Sequence, residues 1–304
     1  MSNRRRHFAA GLVIGSVALA ASLGGSLMAA DRAAPDFSPN PSAGWFAYSR
    51  EWTAPKSGPG PVMQHSDHPL VSNDEYRVTG KQPTLPIADP DNPILQPWAR
   101  EALLERNERV LGGKPADSLH ASCHPIGIPH FLLIPMTRPM YFVQGRDKII
   151  MILTSFADVR RIRLNAAHAT DIKPSWHGDS VGHYEGDTLV VDTIGLNDKG
   201  AVDGFQTPHT EQLHVVERYR MLDGGETLEL EVYMEDPGAF TTPWTATQRY
   251  SRTEGIARRT DVAKVAMLAS GGVSPLLEAI CPENPNAFAG FETRPIAQSD
   301  KPDF

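Results

Sequence analysis

An all-β fold, either an antiparallel β-barrel or a barrel-like sandwich, is predicted by three observations. Residues 140 to 256 carry a succession of short runs rich in β-branched and aromatic side chains, separated by glycine-bearing turns. No helical periodicity alternates with these runs, which argues against a βαβ arrangement. The stretch 213–235 folds back on itself as a hairpin whose two faces separate apolar from charged side chains. The chain has 304 residues, 40% hydrophobic and 21% charged, enough apolar material for a core and too much for wholesale disorder.

The elements follow in chain order. Residues 1–30 read as an export leader: Arg4, Arg5 and Arg6 precede an uncharged stretch that ends in small residues before Asp31. The paired arginines fit a twin-arginine route as well as the general secretory one. Residues 31–118 form a proline-rich wrapping segment, since fifteen of the 26 prolines fall between residues 31 and 130. One helix is expected in it, near 97–111. Pro97 suits the first turn, Ala102, Leu103, Leu104, Val110 and Leu111 recur near helical spacing, and Gly112 and Gly113 end it. A second short helix is expected from Ser274 to Pro282. Residues 119–304 make up the β domain and its tail.

Within that domain, strands are expected at Tyr141–Val143, Lys148–Leu153, Val159–Leu164 and Thr188–Thr193, the last after a tight turn at residues 183–187. The clearest hairpin joins 213–222 to 227–235, and pairing Leu222 with Thr227 sets its register. One face then carries Val215, Glu217, Tyr219 and Met221 against Met234, Val232, Leu230 and Leu228. The other sets Arg218 against Glu231 and Arg220 against Glu229, as cross-strand pairing favours. A further strand follows at Trp244–Arg252.

Glu217 is the one charge on the apolar face. A carboxylate that loses hydration has its pKa raised and suits general acid/base work on a ligand held in a barrel interior. The alternative is that Glu217 pairs with an arginine from another strand. Trp176, His177, Asp179 and Ser180, together with His209, Thr210 and Glu211, place imidazole, carboxylate and hydroxyl groups in polar loops beside the strands, where binding groups usually sit, and His214 opens the hairpin next to them. Trp176, Tyr184, Tyr219 and Trp244 offer aromatic walls for a substrate, and equally offer core. Gly178 to Gly182 matches GxSxG, but Lys173 and Pro174 precede it where a strand should lead in, so the glycines serve a turn. His120, Cys123, His124 and His130 have no spacing that matches a known metal-ligand set, and a divalent metal is a minor reading. Cys123 and Cys281, two cysteines in an exported chain, are expected to form a disulfide.

GDSVGHYEGDTLVVDT, PHTEQLHVVERYR and EDPGAFTTPW together resemble blocks of a widespread family of exported bacterial all-β proteins of unknown activity. The resemblance covers roughly residues 120 to 252. It implies an exported all-β domain and supplies no catalytic residues. The net charge of -7 argues against a nucleic-acid partner, which would need a basic surface. The expectation is therefore a periplasmic or secreted protein, free of the membrane once its leader is cleaved. It would carry out isomerisation, elimination or hydration/hydrolysis on a small, fairly apolar molecule. Glu217 would be the acid/base, with His177, Asp179, His209 or His214 polarising the substrate. The alternatives are a non-catalytic carrier with a lipocalin-like pocket and a metalloprotein built on the histidine loops.

Overall fold

Nine strands close on themselves in the computed structural model, which describes residues 34–38, 44–114, 124–134, 139–153 and 158–252. The expected leader, His120, the expected disulfide partners Cys123 and Cys281, and the segment from Ser274 to Pro282 lie outside the described residues. The strands are β1 (Trp45–Ala47), β2 (Met140–Gln144), β3 (Lys148–Leu153), β4 (Asp158–Leu164), β5 (Asp179–Glu185), β6 (Thr188–Ile194), β7 (His214–Leu222), β8 (Thr227–Glu235) and β9 (Trp244–Arg252). Each pairs with its neighbours in sequence, and β1 closes the ring by pairing with both β2 and β9. All pairs are antiparallel except β4 and β5, so the barrel is mixed rather than purely antiparallel.

The hairpin register expected from patterning is the one observed, from His214 opposite Glu235 through to Leu222 opposite Thr227. The strand at Lys148–Leu153 and the one at Trp244–Arg252 also stand as expected. One segment differs. Residues 179–185 form β5 rather than a polar loop and turn, and only Gly186 and Asp187 make the bend into β6. Alternation across β5 sends Ser180 and Gly182 inward, so glycines and a hydroxyl that look like loop chemistry are strand positions facing a crowded interior.

Among the described residues, two α-helices lie in the segment before β2. The first, α1 (Asn73–Thr79), was not expected; Ser72 caps it by accepting from the Glu75 N–H, and Gly80 ends it in the left-handed conformation. The second, α2 (Pro97–Leu111), matches the expected helix. It buries Ala99, Leu103 and Asn107, one per turn, rather than the wider leucine set. Asn107 turns its amide on the backbone of Ala88, accepting at 3.0 Å and donating at 2.8 Å. Trp52 donates to the carbonyl of Val202 and Trp45 to that of Phe37, both at 2.8 Å. The Asn107 bonds tie the irregular, proline-rich chain to itself, and the two indole bonds anchor it to β1 and to the loop between β6 and β7, where it has few strand ladders to offer.

The barrel interior is filled. Inward-facing Phe142, Met151, Leu153, Ile162, Leu189, Val191, Val215, Leu228, Leu230 and Tyr250 are all buried. In their midst lies an ion pair with no exposure on either side chain: the Arg160 guanidinium reaches Glu217 at 2.8 and 2.6 Å. Ser180 and Thr193 accept from the same guanidinium, and the Tyr219 hydroxyl donates to Glu217. Breaking such a pair from one side strands a buried charge, which costs about 3–5 kcal/mol, whereas removing both charges is often neutral. Glu217→Leu should therefore unfold at a markedly lower urea concentration than the wild type, and Arg160→Met/Glu217→Leu should recover most of the loss. Equal losses in the two variants would overturn this account of the interior.

Candidate functional site

Among the described residues the interior is packed, and a groove lies on the outer face of the sheet. Strand alternation lays that face out in rows. Asp192, Val216, Tyr233 and Thr245 stand in one row across β6 to β9, Val190, Arg218, Glu231 and Thr247 in the next, and Thr188, Arg220, Glu229 and Arg249 in a third. The chain leaving β1 runs alongside. It pairs Tyr48 with Arg249, bulges, and pairs again at Thr53, which exchanges two 2.9 Å backbone bonds with Thr247.

Between this bulged strap and the sheet lies a groove of about 750 Å³. Tyr48 and Lys56 line it from the strap, and Val216, Tyr233, Arg218 and Arg249 from the sheet. Its charges are mostly spoken for. Arg249 holds Glu229 from one side and Arg220 from the other. Burial works to raise the Glu229 carboxyl, but these two guanidinium groups outweigh it and hold the group below the usual carboxylate range. Arg218 turns away from its register partner Glu231 and pairs with Glu185 of β5 at 2.6 Å. Lys56 and Glu231 make no hydrogen bond or ion pair among the described residues.

Tyr233 connects the groove to a second feature. Its ring meets that of His214 edge-on, with centroids 6.5 Å apart. His214 Nε2 lies 3.1 Å from Asp192 Oδ2, while the other oxygen of Asp192 lies 2.9 Å from His168 Nε2. His168 Nδ1 is 3.0 Å from Asp179 Oδ2, and Arg163 grips both Asp179 oxygens at 2.8 Å. The backbone N–H of Ala169 also donates to Asp179. Burial pushes the Asp179 carboxyl up, but the Ala169 N–H, Arg163 and His168 override it and leave it below the ordinary value. Arg163, Asp179, His168, Asp192 and His214 thus form one chain of side chains across β4 to β7. The two histidines and two aspartates pair off one with the next instead of converging. Among the described residues no group of three or more His, Cys, Asp and Glu side chains is arranged to hold a metal ion.

The structure brings two of the expected site residues, Asp179 and His214, into this chain and disperses the rest. Glu217 is not an unpartnered carboxylate facing a ligand: Arg160 neutralises it inside the packed barrel, the alternative that the sequence left open. Tyr219 lies beside it, and Trp244 is buried against Phe240, so both are core. Tyr184 accepts from the amide of Gln144 at 3.0 Å. Trp176 packs on His124, with ring centroids 5.4 Å apart. Gly127 crosses its carbonyl so closely, at a φ of 74°, that a Cβ there would come within 2.8 Å of that oxygen. His209 is 2% exposed, its Nδ1 meeting the carbonyl of Thr210 and its Nε2 without a partner. Neither Asp192 nor His168 was among the candidate site residues expected from the sequence. Asp192 could have been found as the one charged residue in TLVVDT, whereas His168, in an irregular crossover, gave no such signal.

His177 stands apart from this chain of side chains, edge-on to Phe131, with Nδ1 buried and unpaired. Burial, and then the charge of Arg160, push its pKa down to about 4, so it is neutral at pH 7 and is no proton donor there.

No protein-family model, curated protein or solved structure matches the chain.

The unfolded chain protonates a free His177 near pH 6.5, while the folded chain resists until about pH 4. Between those values the unfolded state binds more protons, so His177 lowers stability as the pH falls through that window and has no effect above it. His130, also pushed down to about 4, acts with the same sign, and Asp203, pushed up to about 6, acts with the opposite one. His177→Phe should flatten the fall in urea midpoint between pH 6.5 and pH 4 relative to the wild type. An unchanged slope would show that the ring is not held neutral.

Proposed function

We propose that the protein is an exported enzyme of acid/base chemistry on a small amphipathic molecule, bound in the outer groove rather than inside the barrel. One observation carries this reading: Tyr233 belongs at once to the wall of a ligand-sized groove and to the surroundings of the Asp192–His214 pair. Pockets for small molecules run from about 300 to 1,000 Å³ and combine aromatic walls with a few fixed polar groups. Tyr48 and Tyr233 supply the walls here, and Lys56, Arg218 and Arg249 the polar anchors.

The chemistry follows from which nitrogen is occupied. A carboxylate accepts hydrogen bonds and does not donate them, so a neutral His214 ring meets Asp192 through its Nε2–H. That tautomer leaves the lone pair on Nδ1, which has no partner among the described residues in a side chain 34% exposed. An imidazole oriented by a carboxylate, with its second nitrogen open, is the arrangement a general base requires. It suits isomerisation, elimination or activation of a water. A second reading, a non-catalytic carrier, is favoured by a different observation: the groove lining itself contains no histidine.

The two readings separate once a ligand is found by thermal-shift screening of a small-molecule library, with Tyr233→Ala as the groove control. In the enzyme reading, His214→Gln and Asp192→Asn keep the ligand affinity within about threefold and cut turnover by about 10²–10⁴-fold, followed by NMR of the ligand. A ligand bound but left unchanged by the wild type identifies a carrier. Ligand shifts that survive Tyr233→Ala undiminished overturn the groove as the site.

A further inference from the structure

We infer that His168 is a positioning residue for His214, acting through Asp192. This rests on the reading of His214 as the base. Asp192 points outward from β6 and its side chain is 40% exposed. The torsion that orients a carboxylate is broad and roughly two-fold. An exposed pair of this kind, left alone, gains little over solvation by water. Asp192 therefore needs a second restraint if Oδ2 is to stay on His214.

His168 supplies it. Its Nε2 meets Asp192 Oδ1 at 2.9 Å, which leaves Oδ2 directed at His214 Nε2, 3.1 Å away. The His168 ring is itself fixed from behind, with Nδ1 on Asp179, and Asp179 clamped through both oxygens by Arg163 and through Oδ2 by the Ala169 N–H. Both neighbours of His168 are carboxylates that only accept, so each contact is made by a ring N–H, and a proton on Nε2 directs the ring at Asp192. The last carboxylate is thus held by His168 on the side away from His214.

The backbone explains why the crossover brings this residue here. Because β4 and β5 run parallel, the segment 165–178 must travel back along the barrel before β5 begins. It carries His168 onto outward-facing side chains of β5 and β6. A hairpin between β4 and β5 would have no such passage.

The test reads the His214 ring directly, in the full-length protein and without a ligand, by nitrogen-15 NMR of the imidazoles. The wild type should show a hydrogen-bonded Nε2–H at His214, and Asp192→Asn should show the signature of its loss. His168→Phe should match Asp192→Asn. His168→Gln, whose amide N–H can still donate to Asp192, should return the signature toward the wild type, a rescue that mere filling of space by Phe does not give. Should His168→Phe disturb folding, Arg163→Met releases the clamp from behind and should weaken the same signal. A His214 signature that is unchanged from wild type in a folded His168→Phe or Arg163→Met variant overturns the inference. Failure of the groove itself shows separately, in ligand binding that ignores Tyr233→Ala.

Discussion

A ring of strands in which each pairs only with its two neighbours must return to its starting direction after one circuit, so it can contain only an even number of antiparallel pairings. Nine strands make nine pairings, and the barrel satisfies the condition by making one of them, β4 with β5, parallel. Hairpin turns suffice for antiparallel neighbours, but a parallel pair needs a crossover. Residues 165–178 are that crossover. Its path over the outer face delivers His168 between Asp179 and Asp192, so the closure condition of the barrel and the geometry of the candidate site are one fact seen at two scales.

The interior obeys a different constraint. Arg160 and Glu217 are both without exposure, and neither charge would be tolerable there alone. Ser180 and Thr193 take up further guanidinium donors, and the Tyr219 hydroxyl completes the carboxylate's shell. Burial, and then Glu217, push the Tyr219 hydroxyl well above the ordinary tyrosine range, so the network keeps its protons at neutral pH. Such a set consumes the groups that could have done chemistry. On the outer face, by contrast, Asp192 and His214 are restrained by neighbours but still reach water.

How much of this was legible in the chain varies with the range of the forces involved. The β7–β8 hairpin was readable to the residue because strand alternation and opposed charges on one face both reject a one-residue slip. Helix α2 was readable from Pro97 and the glycines that follow it. The short helix α1 was overlooked although Ser72 and Gly80 bracket it, since seven residues carry too little periodicity to register. Residues 179–185 misled because glycine, aspartate and serine are turn formers by local preference, and only contact with β4 and β6 makes them a strand. Glu217 was correctly singled out as anomalous, and its guanidinium partner was among the alternatives, yet nothing in the chain between residues 160 and 217 says that the two meet.

Local pattern determined by itself that the chain is all-β, where most strands begin, which face of each hairpin strand is apolar, and that one carboxylate sits among apolar neighbours. Those properties depend on side chains a few residues apart or on a single turn, so they are written in spacing. Tertiary structure alone decided that Arg160 answers Glu217, that one strand pair runs parallel, and that His168 stands between two aspartates from different strands. Each of these depends on closing the ring, an operation that joins Trp45 to Arg252 and Met140 across long stretches of chain, and no local interaction carries that information.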